Sequence, residues 1–312
     1  MVNLASYVYQ TVGTRRNEIT ITEQSGNSLS DYQIGISLDS EWGGWNYVSE
    51  DGNDIYFIDG SGDPLYFWIE RFDYANRIAD IWVKIPSIPA SGTVIIYMYY
   101  GSGSNPYASY NDPDQVFLLF KDFEDGTTQG LNVIAGTFAA EIFDGSYRLH
   151  QTEASGNRRG YWPETISAET FAVHAKTYDP VDEAYIFIYL RDSTQARGWL
   201  AGWSSDLDKM AIMGRSDGGS TIGTDQTKSH TFNGSIWYDI VIKYKGSGVI
   251  RIEADGDYFE VTRTENFSPD TIGVWCGYEK YWDDIFVRKY VEPEPTISIA
   301  PSAPLMKSLD LM

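Results

Sequence analysis

Two acidic segments, far apart in the chain, carry most of the chemistry this sequence offers. One is Asp122-Phe123-Glu124-Asp125-Gly126; the other is Tyr281-Trp282-Asp283-Asp284-Ile285-Phe286-Val287. They read as the opening and closing strands of one β-sandwich, lying side by side. Carboxylates brought together in that way repel one another or hold a proton unless a cation joins them, and hard carboxylate oxygens suit calcium. Other chemistries find less support. Retaining glycoside hydrolysis needs two carboxyl groups about 5–5.5 Å apart. Asp179-Pro180-Val181-Asp182-Glu183 and Glu292-Pro293-Glu294 have the charges, but their prolines mark loops. Glu253 and Asp255 come nearest, yet Asp255 belongs to an Asp-Gly turn. His150, His174 and His230 are scattered, and His174 alternates with Val173 as a structural strand residue would. No Cys/His spacing suggests zinc, and no glycine-rich loop precedes a helix. The sequence reads as that of a protein without a catalytic site.

The elements that must position these residues are strands. The chain has 312 residues, 15% of them aromatic, and long helical patterns are absent; such a composition points to an all-β protein of about two domains. A net charge of -21 argues against nucleic acid and anionic membrane surfaces as partners. It suits cations or neutral glycans. The single cysteine, Cys276, lies in the apolar run Ile272–Cys276 and reads as a small core residue; an internal disulfide is ruled out, which favours a prokaryotic or viral source over a eukaryotic secreted one. No run approaches the roughly 18 apolar residues of a membrane span, and Met1–Tyr7 lacks the basic and apolar regions of a signal peptide.

From residue 17 onward, short alternating segments follow one another. Ile19 and Ile21 share a face, as do Tyr32, Ile34, Ile36 and Leu38; Ile81, Val83 and Ile85 alternate with Trp82 and Lys84 until Pro86. Period-2 alternation with Gly/Asp turns between means half-buried antiparallel strands and a sandwich. Asp51, Asp54, Asp59 and Asp63 read as turn formers rather than as a calcium loop. The runs DYQIGISLDS (31–40), DGNDIYFIDGSGDPLYFWIE (51–70) and ADIWVKIPSIPASGTVIIYMYYG (79–101) resemble domain-of-unknown-function family 2341. That resemblance implies a surface protein of archaea or bacteria, with this domain beside a concanavalin-like sandwich, and implies no reaction.

A second domain is expected over residues 116–292. Its clearest hairpin sets Ile236, Tyr238, Ile240, Ile242 and Tyr244 against Trp237, Asp239, Val241 and Lys243, with turns at Lys245–Gly248 and Asp255-Gly256. FKDFEDG (120–126), IWYDIVIKYKGSGVIRIEADG (236–256) and YWDDIFVRKY (281–290) resemble concanavalin A-like, laminin-G-like jelly rolls. In carbohydrate-binding jelly rolls with similar ends, such segments help hold a structural calcium; the resemblance makes Glu124 and Asp283 the ligand candidates, with Asp122 behind them. Trp199, Trp203, Tyr161, Trp162 and Tyr189 are the aromatic candidates for stacking on sugar rings, as clustered aromatics mark binding surfaces.

The expected architecture is two tandem antiparallel β-sandwich, jelly-roll-like domains, 1–115 and 116–292, followed by a Pro-rich linker and apolar tail, 293–312. The tail could add a strand to the sheet edge of a neighbouring copy. The function expected is non-catalytic adhesion or glycan recognition, extracellular or at a cell or virion surface, with structural calcium. A structural subunit of a virion, pilus or sheath, assembled through sheet edges and residues 296–312, is the alternative, and a diverged glycan hydrolase the second.

Overall fold

The computed structural model describes residues 15–153 and 156–304. The chain forms two compact units. One holds the residues up to Phe117 together with those from Glu292, and the other runs from Leu118 to Val291. Before the break, the first unit supplies β1 (Arg15–Thr22), β2 (Leu29–Leu38), β3 (Tyr56–Asp59), β4 (Phe67–Asp73), β5 (Ile78–Ile88) and β6 (Thr93–Tyr100). The second contains β7 (Leu119–Lys121), β8 (Asn132–Ala135), β9 (Phe138–Phe143), β10 (Ser146–Gln151) and β11 (Arg158–Tyr161). It continues with β12 (Phe171–Tyr178), β13 (Tyr185–Asp192), β14 (Arg197–Ser204), β15 (Lys209–Ser216) and β16 (Thr221–Ser229). It ends with β17 (Trp237–Tyr244), β18 (Val249–Ala254), β19 (Asp257–Thr262), β20 (Thr271–Cys276) and β21 (Lys280–Lys289). Two strands after the second unit, β22 (Thr296–Ile299) and β23 (Ala303–Pro304), belong to the first.

The first unit's sheets follow from the alternation. Tyr32, Ile34, Ile36 and Leu38 of β2 stand opposite Ile85, Val83, Ile81 and Ala79 of β5, all eight buried. β5 does not stop at Pro86, as expected, but continues to Ile88. The pairing jumps from Tyr32–Ile85 to Ser30–Ser87, and the skipped Asp31 sits at φ 46°. A proline without an N–H is tolerated where the ladder is interrupted. Asp59 closes its turn by accepting the N–H groups of Ser61, Gly62 and Asp63 at 2.8–2.9 Å. Asp54 is buried and accepts from Ser49 but also from Gly101, 47 residues on, so it ties its turn to the end of β6, whereas Asp59 acts as a turn former.

The domain boundaries differ from those read in the sequence. Val116, the expected start of the second domain, is instead the last residue of a short helix over Pro113–Val116, with Pro113 at its first position and Asp112 accepting the Gln115 N–H; the second unit starts at Leu118. More importantly, residues 293–304 are not a linker and free tail. The first unit's larger sheet has the order β22-β1-β6-β3, with β23 also on β1. Ile19 faces Ile299 and Ile21 faces Ile297. Strand β1 has β6 on one side only, and its other row of backbone groups would be an open edge; the tail satisfies that edge within its own chain. Two buried side chains also depend on it: the Asn17 amide donates to Ala300 O at 2.7 Å, and the Tyr100 hydroxyl to Ser302 Oγ at 2.6 Å. The expected apolar end at 305–312 lies outside the described residues.

The second unit is a sandwich of two antiparallel sheets. One has the order β19-β18-β17-β12-β21-β10-β9, with β7 also on β21; the other has β16-β15-β14-β13-β20-β11-β8. Their inner faces share one core, in which Val173, Ile240, Ile252 and Trp282 from the first meet Ile188, Trp199, Trp203 and Val274 from the second. The β17–β18 and β18–β19 hairpins have the expected turns, and Asp255 and Gly256 both take positive φ, at 50° and 74°, as a tight hairpin demands.

Truncating the chain after Pro295 should therefore destabilise the first unit. Each buried polar group left without its partner costs about 1–3 kcal/mol. We expect faster amide exchange across residues 17–22 and a lower unfolding temperature. Unchanged protection of β1 would show that the tail contributes nothing.

Candidate functional site

The outer face of the β19-to-β9 sheet carries the site. Cross-strand register sets four aromatic side chains in one row: Trp237 of β17 pairs with Tyr178 of β12, Tyr178 with Tyr281 of β21, and Tyr281 with His150 of β10. Each is out of phase with the core residues of its own strand, since Tyr238, Thr177 and Trp282 point inward. His150 lies flat on Tyr281, ring centroids 4.1 Å apart and 4° from parallel. The tip of the β9–β10 hairpin closes one side. The Phe143 ring is 4.4 Å from Tyr281 and 5.0 Å from Tyr178, and Asp144 accepts the Trp237 indole N–H at 3.3 Å. Trp237, Tyr178 and Phe143 are half-buried, so each presents part of a ring to solvent.

Polar groups rim this row. His150 has both ring nitrogens on carboxylates, Nδ1 at 2.8 Å from Glu141 and Nε2 at 3.1 Å from Glu279. Burial, then the Glu279 and Glu141 carboxylates, push the Tyr281 phenol up to about 12, so it stays a neutral donor. Arg148 of β10 lies 5.6 Å from the Trp237 ring and 2.9 Å from Asp283. Asp283 is buried, and its Oδ1 has no hydrogen-bond partner among the described residues. That desolvation, added to the neighbouring Asp284 carboxylate, pushes its carboxyl up to about 8 although Arg148 opposes the shift.

The three carboxylates expected at a calcium site are only partly brought together. Glu124 and Asp283 both face Arg148, at 3.5 and 2.9 Å, so a guanidinium stands where a metal ion would join them. Asp122 is turned to its own loop, accepting the Gln129 side-chain amide at 2.9 Å and the Glu124 N–H at 3.2 Å. Among the described residues, no three His, Cys, Asp or Glu side chains converge as a metal-ligand set. As arranged, these residues do not fit calcium.

The expected sugar-stacking aromatics are corrected more sharply. Trp162, Trp199 and Trp203 are completely buried. Trp199 and Trp203, four residues apart on β14, point into the core, where Trp199 meets Phe267 and Trp203 meets Phe232; Trp162 donates its indole N–H to Thr128 O. Tyr161 is half-buried beneath Arg191, whose guanidinium is 4.0 Å from the ring centre. Tyr189 is fully buried. The half-buried aromatics have a signal in the sequence: Trp237 shares its strand face with Asp239 and Lys243, whereas a core tryptophan shares its face with apolar residues.

Comparison with known proteins places the chain loosely. A profile for a domain of unknown function, DUF2341, matches residues 51–132. An uncharacterized protein, 562, of Sulfolobus islandicus rod-shaped virus 1 is 36% identical over 70 residues, which cover 18% of this chain and 12% of that protein. Among solved structures, a carbohydrate-binding module, CBM66, from Bacillus subtilis overlaps 53% of this chain and 98% of its own, at 14% identity and a TM-score of 0.42. A protein of unknown function with a galectin-like fold from the same organism covers 55% and 98%, at 11% identity and 0.38. A toad ovary galectin in complex with thio-digalactose covers 43% and 100%, at 13% and 0.34.

Two outcomes test the buried acid. With Arg148 between Glu124 and Asp283, calcium and a chelator should give the same unfolding temperature; a calcium-dependent rise abolished by Asp283→Asn would restore the metal site. The second concerns pH. An unfolded aspartate titrates near about 3.9, so the native state keeps a proton on Asp283 that the unfolded chain has already released. That contribution to stability is complete below about pH 4 and is lost as pH rises through about 8. A side-chain amide at this position cannot ionise, so Asp283→Asn should gain on the wild type in unfolding temperature as pH is raised across this range. Parallel curves would mean that Asp283 is ionised throughout.

Proposed function

We propose that this chain is a non-catalytic glycan-recognition protein and that the outer face of the second unit's larger sheet is its binding surface. The observation that carries this reading is the in-register row Trp237–Tyr178–Tyr281–His150, capped by Phe143. The partly exposed rings of Trp237, Tyr178 and Phe143 offer apolar surface to the C–H faces of sugar rings, while Tyr281 and His150, both buried and stacked on each other, support them from beneath. The rim supplies directional groups for hydroxyls: Arg148 donates, and Glu141, Glu279 and Asp144 accept. The carboxylates Glu141 and Glu279 both contact His150, an arrangement suited to holding a surface in shape rather than to an acid and a nucleophile flanking a scissile bond. Display at a cell or virion surface is part of the proposal.

The test is a panel of neutral polysaccharides and glycans read by affinity electrophoresis and calorimetry. A binding glycan should lose at least tenfold in affinity, about 1.4 kcal/mol, in Trp237→Ala, with the circular-dichroism spectrum unchanged. Binding that survives this substitution intact would move the site elsewhere.

A further inference from the structure

The aromatic row is not the only platform on this face. Tyr258 of β19 is among the most exposed large side chains of the described residues, at 51%. Register places it on the same outer face, because Tyr258 stands opposite Glu253 of β18, and Glu253 opposite Val241 of β17. The inward phase is taken by Ile252 and Ile240. The Arg251 guanidinium lies 3.8 Å from the Tyr258 ring centre and the Lys228 ammonium 5.6 Å. Both cations are themselves anchored, Arg251 to Glu253 at 2.7 Å and Lys228 to Asp257 at 2.5 Å. An exposed tyrosine held by two anchored cations is orientated before any ligand arrives, so little side-chain freedom is left to lose on binding.

Between the two platforms lies a cleft of about 360 Å³, and Asp239, Val241, Glu253 and Asp255 are among its lining residues. It adjoins the row directly, because Asp239 follows Trp237 by two residues on the same strand and face. Trp237 and Val241 are four residues apart along β17, about 13 Å, and Tyr258 is two strands further across, about 10 Å. The platforms are therefore roughly 16 Å apart, a span no single sugar ring bridges. The cleft's charge also selects. Asp239, Glu253, Asp255 and Asp257 line it with Arg251, a carboxylate excess within a chain of net charge -21; polyanionic chains would be repelled.

Resting on the glycan reading above, we infer that the ligand is a neutral oligosaccharide chain lying obliquely across β17, β18 and β19, with one end on the Trp237 row and the other on Tyr258. Calorimetry with cello-, manno- and malto-oligosaccharides from di- to hexasaccharide tests this, using whichever series binds. Affinity should rise at least tenfold with length, and Tyr258→Ala should bring the hexasaccharide down to the level of the disaccharide. Trp237→Ala should weaken every length. Affinity independent of length, lost in Trp237→Ala but not in Tyr258→Ala, would overturn the extended site and leave the glycan reading standing. Binding of heparin or alginate as tight as that of the neutral series would overturn the charge argument. Failure of every glycan to bind the correctly folded wild type would remove both readings.

Discussion

A single sealed ion pair sets the geometry on which the outer face depends. Lys280 and Asp179 are both completely buried, 2.6 Å apart. The lysine also donates to Glu183 O, and the aspartate also accepts from Val181 N, Asp182 N and the Ser205 hydroxyl. Breaking such a pair from one side costs about 3–5 kcal/mol, because the remaining charge is stranded. Asp179 follows the last residue of β12 and Lys280 is the first of β21, so the pair fixes the register of these neighbouring strands. Side chains alternate across a strand, and a slip of one residue would send each to the opposite face. With Asp179 and Lys280 held inward, Tyr178 and Tyr281 must point outward and opposite each other, as they do. Trp237 and His150 then join the row by pairing with β17 and β10.

The same sheet carries a second buried acid with a different role. Asp179 is surrounded by donors, whereas Asp283 has Arg148 on one oxygen and no partner on the other among the described residues. Two aspartates of similar burial thus differ in how many donors meet them, and a buried carboxylate short of donors is the costlier one. Arg148 connects this acid to the surface, since its guanidinium is shared between Asp283, Glu124 and the vicinity of the Trp237 ring. The interior of the sheet and the rim of the aromatic row are therefore joined by one side chain.

Much of this fold is legible in the sequence. Although Asp122–Gly126, expected as a strand, is instead the turn after β7, closed by the Gly126 N–H on Phe123 O, the alternation of Tyr32–Leu38 and of Ala79–Ile85 and the Asp-Gly turn at 255–256 follow from local pattern, because each reports which face is wet. The site was harder to read for the same reason. Aromatic type does not distinguish a core tryptophan from a surface one, and Trp199 and Trp203 are as suited to stacking on Phe267 and Phe232 as on a sugar. The company a residue keeps on its own face does distinguish them: Trp237 lies with Asp239 and Lys243. Asp179–Glu183 is a loop, as its proline indicates, but its first side chain turns inward to meet Lys280, a contact about a hundred residues away that no local pattern encodes. Arg148, which lies between Glu124 and Asp283, comes from a strand outside both acidic segments and so is invisible in either.

The returning tail is the feature least visible in the sequence, yet the fold makes it inexpensive. Ile19 pairs with Ile299, across nearly the whole chain, and contacts so distant ordinarily carry a large closure entropy. The second unit removes most of that cost. Its first strand, β7, pairs with its last, β21, with Leu119 opposite Val287 and Lys121 opposite Ile285, so the chain leaves this unit beside the point where it entered. Once folded, the whole of Leu118–Val291 acts on the first unit as a short connection, the condition under which one domain is inserted into another without loss. The β7–β21 pairing that closes the second sandwich therefore also brings β22 within reach of β1. A linear reading of two tandem domains and a tail misses this because it treats order along the chain as order in space; the pairing of the inserted unit's own ends separates the two.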